Sequence, residues 1–197
     1  MGLDSVELLF FVEDTFRIRL NASEAEQINT VQDFSNSVYS KVMTKRNEKC
    51  LSHQIFIRVK KAIKKLNFTE TAIMPETSLF ELFSNKNLVR NWKLLETEIG
   101  LILPELTSLD ISPNLDLHVK FLGVKIRKRS TPILNGTVKQ LINWIVSLNY
   151  KELINLEKIT GKYEVERVII GIIYNTMGIP INEIDLEHSI RYDLGID

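Results

Sequence analysis

The sequence predicts an all-α protein, on the evidence of its apolar periodicity and its composition. Apolar residues recur at helical spacing through most of the 197-residue chain. Hydrophobic residues make up 44% and charged residues 25%, which excludes disordered, collagen-like and disulfide-scaffold classes. One stretch, from Leu115 to Ile126, begins with alternating apolar and polar residues and has a glycine, Gly123, near its centre. It predicts a short β insertion in the middle of the chain.

The first forty residues predict two helices. Apolar residues at three-, four- and seven-residue steps mark the first helix: Val6, Leu9, Phe10 and Phe16. Asp4 followed by Glu7 suits an N-cap, so this helix is expected to begin near Ser5. The polar residues 21–29 predict a loop. Thr30 is then expected to cap a second helix, whose apolar face is Val31, Phe34, Val38 and Val42.

Four further helical patterns follow. They cover residues 54–66, 88–102, 138–148 and 164–177. The last is expected to end near Gly178 and to bury an apolar face: Val165, Val168, Ile169, Ile172 and Ile173.

The net charge of zero is the sum of regions with opposite charge. Residues 1–40 hold seven acids and two bases, and residues 163–197 also hold seven acids and two bases. Each end therefore has a net charge of −5, and the remaining 122 residues have a net charge of +10. This asymmetry predicts separate structural units, with different partners or with attraction for each other.

Several classes of protein and site are not expected. A single cysteine, Cys50, permits no internal disulfide, which favours a cytoplasmic location. No apolar run approaches the ~20 residues of a membrane span. His53, His118 and His188 lack nearby ligands at metal spacing, so we interpret them as structural or surface residues. Residues 41–65 hold nine bases and one acid but only one aromatic residue, Phe56, so a nucleic-acid partner is not expected.

The two chain ends form one continuous pattern when the C-terminus is read before the N-terminus. A helix at 164–177 leads into the loop IPINEIDLEHSIRYDLG, and then DLGID is followed by GLDSVELLFFVEDTF and by TVQDF at 30–34. This order resembles the acyl carrier protein family, whose members present Asp-Ser-Leu or a similar tripeptide where their second helix begins. The matching tripeptide here is Asp4-Ser5-Val6. The resemblance covers about 80 residues and implies a unit made of residues 1–45 and 163–197, in permuted order.

The resemblance implies a function for Ser5. In the family this serine, beside Asp4, carries 4′-phosphopantetheine, whose thiol holds acyl or aminoacyl intermediates of fatty acid, polyketide or nonribosomal biosynthesis as thioesters. A phosphodiester at a helix N-terminus is stabilised by free backbone N–H groups and by the helix dipole. From the residues alone, an Asp-Ser pair is also an ordinary helix cap.

The resemblance also implies partners for the acidic helix after Ser5. The recognition face for a phosphopantetheinyl transferase and for acyl-transferring or synthase enzymes would be Val6, Glu7, Glu13 and Asp14. Such a face steers encounter electrostatically. On charge alone, these acids also fit an ordinary solvated helix face.

The middle of the chain, residues 50–150, predicts a second, degenerate unit of the same kind. PETSLFELF matches LEHSIRYDL, ETEIGLIL matches EDTFRIRL, and TVKQL matches TVQDF. Between the second and third matches the middle has 34 residues, from Leu103 to Thr137, where the ends have 10. Asn87 or Leu88 occupies the position of Ser5, and neither can carry the arm.

We therefore expect a carrier without chemistry of its own. The alternative is an interaction or regulatory module that keeps the fold and is not modified. The basic middle, through residues 41–65 and 125–129, is expected to lie against the acidic unit or to compete with its partners. The permuted unit closes either within one chain or by exchange between two chains, as a swapped homodimer. In both cases Gly2 and Asp197 are expected to meet beside Ser5.

Overall fold

The computed structural model describes residues 2–42, 50–83, 87–116, 118–121, 124–128 and 130–197. The chain is mostly helical, which confirms the all-α prediction. It divides into two compact units. The terminal unit comprises Met1–Leu51 and Val146–Asp197, and the middle unit comprises Ser52–Ile145. Residues 146–162 therefore belong to the terminal unit, although the sequence analysis had put 146–150 in the middle.

The elements follow one another in this order: α1 (Leu3–Phe16), α2 (Ala22–Glu26), α3 (Val31–Tyr39), α4 (Leu51–Lys65), α5 (Leu79–Phe83), α6 (Leu88–Ile99), α7 (Ser108–Ile111), β1 (His118–Phe121), β2 (Val124–Lys128), a 3-10 turn (Ile133–Asn135), α8 (Val138–Leu148), α9 (Tyr150–Leu153), α10 (Lys162–Met177) and a second 3-10 turn (Ile181–Glu183). The strands pair as an antiparallel hairpin, so the predicted β insertion is confirmed. The predicted turn at Gly123 lies outside the described residues.

The core of the terminal unit forms where α10 packs on α1 and α3 within one chain. The predicted apolar face of α10 is buried in full, and the helix ends at Gly178 in the left-handed conformation, with φ 65°. The side chains that face it come from α1 and α3: Leu8, Val12, Phe16, Val31, Phe34 and Val38. Burial of each such side chain stabilises the folded unit by ~1.5–3 kcal/mol. Because these faces are buried against each other, neither terminal segment has a complete core without the other.

Helix α1 corrects two predictions. It begins at Leu3 with Gly2 as the N-cap residue, and no side chain caps it, so Asp4 is not the cap. Its buried face also differs from the predicted one, since Val6 and Phe10 are 50% and 57% exposed. At about 100° per residue, Val6 lies on the side of the helix opposite Leu8. The side facing α10 consists of Leu8, Val12 and Phe16.

Two capping boxes define the helices that follow α1. The predicted loop at 21–29 contains α2, because Asn21 Oδ1 accepts the Glu24 N–H at 2.9 Å and Glu24 Oε2 accepts the Asn21 N–H at 2.7 Å. The predicted cap of α3 is confirmed. Thr30 Oγ1 accepts the Asp33 N–H at 3.0 Å, and the Asp33 carboxylate accepts the Thr30 N–H at 2.9 Å.

The middle unit has α4, α6 and α8 as its longest helices. Gly100, in the left-handed conformation with φ 58°, ends α6 before the predicted boundary at residue 102. Trp92 packs edge-on against Phe83, with ring centroids 5.2 Å apart, and donates its indole N–H to the Pro104 carbonyl at 2.9 Å. No helix in the described ranges is both long and apolar enough to span a bilayer.

The predicted contact between the basic runs and the acidic terminal unit stays a prediction. Residues 43–49 lie outside the described residues, as do residue 129 and the side chains of 125–128.

Candidate functional site

The candidate site lies where the two chain ends meet at the start of α1. The Ser5 N–H donates to the Asp197 carbonyl oxygen at 2.8 Å. A Cβ atom on Gly2 would clash with the Asp197 backbone, so these two residues are in direct contact. The expectation that Gly2 and Asp197 meet beside Ser5 is therefore confirmed. With Gly2 as the N-cap residue, the Asp197 carbonyl accepts one of the N–H groups in the first turn of α1 that a capping side chain at Gly2 would otherwise bind.

Ser5 is half-buried in the first turn of α1. Its Oγ donates to the Gly2 carbonyl oxygen at 3.1 Å. In the part of the chain that the structure describes, no acceptor meets the N–H groups of Leu3 and Asp4. The Ser5 hydroxyl therefore lies in a helix turn with two open donors and the positive end of the helix dipole, an environment that favours an anion.

The C-terminal segment before Asp197 is held by backbone pairing with the start of α3. Thr30 and Ser189 form an antiparallel bridge. The segment then closes on itself, since the Ile196 N–H donates to the Ile190 carbonyl at 3.0 Å. The placement of Asp197 beside Ser5 thus depends on ordinary main-chain hydrogen bonds rather than on the sequence of the loop alone.

A cleft of about 630 Å³ opens beside Ser5, a volume typical of small-molecule sites. Its apolar walls come from α1, from α3 and the segment before it, and from the C-terminal segment: Leu8, Leu9, Ile28, Phe34, Ile190 and Ile196. Arg191 and the 83% exposed Tyr192 also line it. Arg191 Nε lies 3.2 Å from an Asp197 carboxylate oxygen in an exposed ion pair. Neither the cleft nor the position of Arg191 follows from a sequence motif.

The predicted recognition residues separate into two groups. Val6, Glu7 and Asp14 are exposed on α1, as the docking hypothesis requires. Glu13 is turned inward. Its side chain is 12% exposed, accepts the Leu20 N–H at 2.6 Å, and pairs with Arg19 at 3.1 Å. Glu13 therefore positions the chain after α1.

Two exposed apolar residues share with Val6 one side of α1. Leu3 is 82% exposed and Phe10 is 57% exposed. At positions i, i+3 and i+7, Leu3, Val6 and Phe10 share one side of the helix. Helical spacing alone could have grouped them, but the same spacing made Phe10 look like a core residue. Contiguous exposed apolar residues mark interaction surfaces.

The middle unit repeats the backbone framework that holds the site. Its antiparallel bridge joins Ser78 to Thr137, the counterparts of Ser189 and Thr30 in the sequence matches. Three main-chain hydrogen bonds accompany each bridge at matched positions. In the terminal unit the N–H groups of Val31, Gln32 and Ile190 donate to the carbonyls of His188, Leu186 and Asn29, respectively. In the middle unit the N–H groups of Val138, Lys139 and Leu79 donate to the carbonyls of Thr77, Pro75 and Gly136, respectively.

The two units also match where α1 and α6 end. Glu96 accepts the Leu103 N–H at 3.2 Å, as Glu13 accepts the Leu20 N–H. Gly100 and Arg17 both adopt the left-handed conformation after their helices. Leu88 lies twelve residues before Gly100, as Ser5 lies twelve residues before Arg17. Counted from these caps, Leu88 rather than Asn87 occupies the position of Ser5.

Comparison with known proteins identifies no relative: no family model, no curated protein and no solved structure matches the chain. The described residues contain no group of three His, Cys, Asp or Glu side chains able to hold a metal ion. His188 Nδ1 lies 3.1 Å from the Glu183 carbonyl oxygen and 3.3 Å from the Asp185 amide nitrogen. His53 is exposed beside Phe56.

Proposed function

We propose that this chain is a non-catalytic carrier that holds acyl or aminoacyl intermediates on a 4′-phosphopantetheine arm at Ser5. The observation that supports this proposal is the assembly around Ser5. The Asp4-Ser5-Val6 tripeptide lies in the first turn of α1, with two open N–H donors and an apolar cleft beside it. The resemblance of the joined chain ends to acyl carrier proteins gives the arm its chemical identity.

The modification requires one phosphoryl transfer. Ser5 Oγ attacks the phosphorus of coenzyme A that bears the pantetheine group, and 3′,5′-ADP leaves as the P–O bond to it breaks. The hydroxyl proton passes to a base of the transferase. In the unmodified protein that proton is donated to the Gly2 carbonyl, so the transferase must replace this hydrogen bond. The product phosphodiester is an anion, which the start of α1 favours.

The exposed side of α1 supplies a docking surface for the partner enzymes. Leu3, Val6 and Phe10 provide apolar area, and Asp4, Glu7 and Asp14 add negative charge in the same helix. The helix Leu3–Phe16 contains no Lys or Arg. This combination suits a transferase or a cytoplasmic acyl-transferring enzyme with an apolar, basic docking site.

The test is the intact mass of the full chain after incubation with coenzyme A and a broad-range phosphopantetheinyl transferase. We expect the addition of one arm, abolished by Ser5→Ala and unaffected by Ser23→Ala, a matched control at an exposed serine of the same unit. No addition to the folded wild-type chain would favour the alternative, an interaction module that is not modified. An addition that survives Ser5→Ala would place the arm elsewhere.

A further inference from the structure

The middle unit contains an apolar groove of about 890 Å³ at the start of α6. Four of its lining residues are large apolar side chains with substantial exposure. Phe80, Val89 and Ile111 are each 56% exposed, and Leu115 is 41% exposed. Apolar side chains clustered in a concave surface are the usual lining of a ligand site, and the volume lies in the range of such sites.

The groove occupies the same place in its unit as the cleft beside Ser5 does in the terminal unit. Each is lined by the first turn of a helix (α6 or α1), by the short capped helix after it (α7 or α2), and by residues just before the following helix (α8 or α3). Leu88, at the position of Ser5, is itself a lining residue. The middle unit therefore keeps the cavity but has no hydroxyl at that position to hold an occupant covalently.

Two charged side chains line the groove, and only one of them is exposed to a ligand. The Asp110 carboxylate is buried and satisfied, because it accepts the N–H groups of Ile133 at 3.0 Å and Leu134 at 2.9 Å, as well as the Thr107 N–H. Arg90 is exposed, and no ion-pair partner for it is found among the described residues. The available charge at the groove is therefore positive.

We propose that the middle unit binds a linear amphiphile non-covalently in this groove, with the apolar tail against Ile111 and Phe80 and an anionic head at Arg90. A medium-chain carboxylate combines an apolar tail with one anionic head. The site does not depend on modification of Ser5, so it stands or falls separately from the carrier function.

The test is calorimetric titration of the full chain carrying Ser5→Ala with dodecanoate, below the concentration at which it forms micelles. We expect saturable binding to one site. Ile111→Asp should weaken it by roughly tenfold or more, because a carboxylate in an apolar wall is costly to desolvate and repels the head group. Ile102→Asp is the matched control: Ile102 is 58% exposed in the same unit and does not line the groove.

A second pair of measurements tests the head-group contact. Arg90→Gln should weaken dodecanoate binding by about twofold to fivefold, as expected for one exposed charge pair, and leave dodecanol binding unchanged. If Ile111→Asp loses helical circular dichroism, Val89→Asp replaces it. Absence of dodecanoate binding, or binding unaffected by both groove substitutions, would overturn the proposal. Self-association through the groove without amphiphile binding would also overturn it and would indicate a protein interface.

Discussion

The terminal and middle units share one backbone framework but differ in the order of their elements along the chain and in the residue at the position of Ser5. Both have a Thr–Ser bridge at the start of a helix (α3 or α8) and a glutamate that accepts a main-chain N–H after the preceding helix (α1 or α6). In the terminal unit Asp197 and Gly2 are in contact, and the corresponding residues 84–86 of the middle unit lie outside the described residues. The middle unit instead accommodates the hairpin of β1 and β2.

This difference shows which contacts the fold depends on. Both units keep the bridge, although among the described residues only the middle unit has a hairpin before the helix that follows it. The residue at the position of Ser5 is not shared. One substitution at the position of Ser5, to Leu88, removes the hydroxyl and leaves an apolar groove.

The largest expected effect comes from deleting residues 163–197. The deletion removes α10 and exposes the apolar faces of α1 and α3, so the terminal unit should unfold or aggregate. The middle unit should remain folded. Trp92 and Trp144, the two tryptophans of the chain, both lie in the middle unit. Circular dichroism should therefore show a loss of helix while the tryptophan emission stays native. A truncated chain that stays monomeric, fully helical and modifiable at Ser5 would refute the permuted assembly.

A smaller effect should follow from Gly171→Ala in α10. The added Cβ would collide with the Ser147 carbonyl and approach the Tyr150 ring, a packing specific to the terminal unit because Lys60 stands at the matched position of α4. We expect a loss of about 1–3 kcal/mol in unfolding free energy, measured by urea denaturation. Gly161→Ala is the control, since nothing lies within 4 Å of a Cβ there. Equal stability of the two variants would contradict the close approach.

Removal of the equivalent threonine caps should destabilise each unit alike. Thr30→Ala and Thr137→Ala each break a capping box and should each cost ~1 kcal/mol. Thermal unfolding followed by circular dichroism and tryptophan emission separates the units, since only Thr137→Ala should shift the emission transition. Thr30→Ser and Thr137→Ser, which keep the hydroxyl, should remain near wild type. Unequal effects of the two alanines would weaken the proposed equivalence.

The smallest effect concerns rate. Glu7→Lys with Asp14→Lys should slow modification of Ser5 at low salt by several-fold and leave stability unchanged, because both side chains are exposed. The difference should shrink at high salt as screening increases. Glu13→Gln should instead lower stability, because it weakens the acceptor of the Leu20 N–H. Unchanged modification rates at low salt would argue against electrostatic docking.

Much of the fold could be predicted because its helices have regular apolar spacing and recognisable caps. The buried face of α10 and the cap at Thr30 follow from spacing and residue type alone. The buried face of α1 does not follow from spacing, because four consecutive residues are apolar: Leu8, Leu9, Phe10 and Phe11. Such a run does not define one side of a helix, so only packing against α10 selects Leu8.

The site was predictable in part for a similar reason. A short motif identified Ser5, and reading the chain ends together predicted its contact with Asp197. The cleft beside Ser5 and the inward position of Glu13 depend on tertiary contacts between residues distant in sequence. Glu13 shows the limit of charge counting, since an acid in a charged helix can be occupied by a main-chain N–H rather than by solvent.

The central claim is that the two terminal segments form one unit whose elements follow a permuted order relative to the middle unit. The most direct measurement is the folding of a rearranged chain in which residues 146–197 are joined directly to residues 2–51, since Gly2 and Asp197 are already in contact. We predict a monomer with the helix content of the terminal unit and a single cooperative thermal transition. A rearranged chain that remains unfolded, or that folds only when the middle unit is added, would contradict the claim.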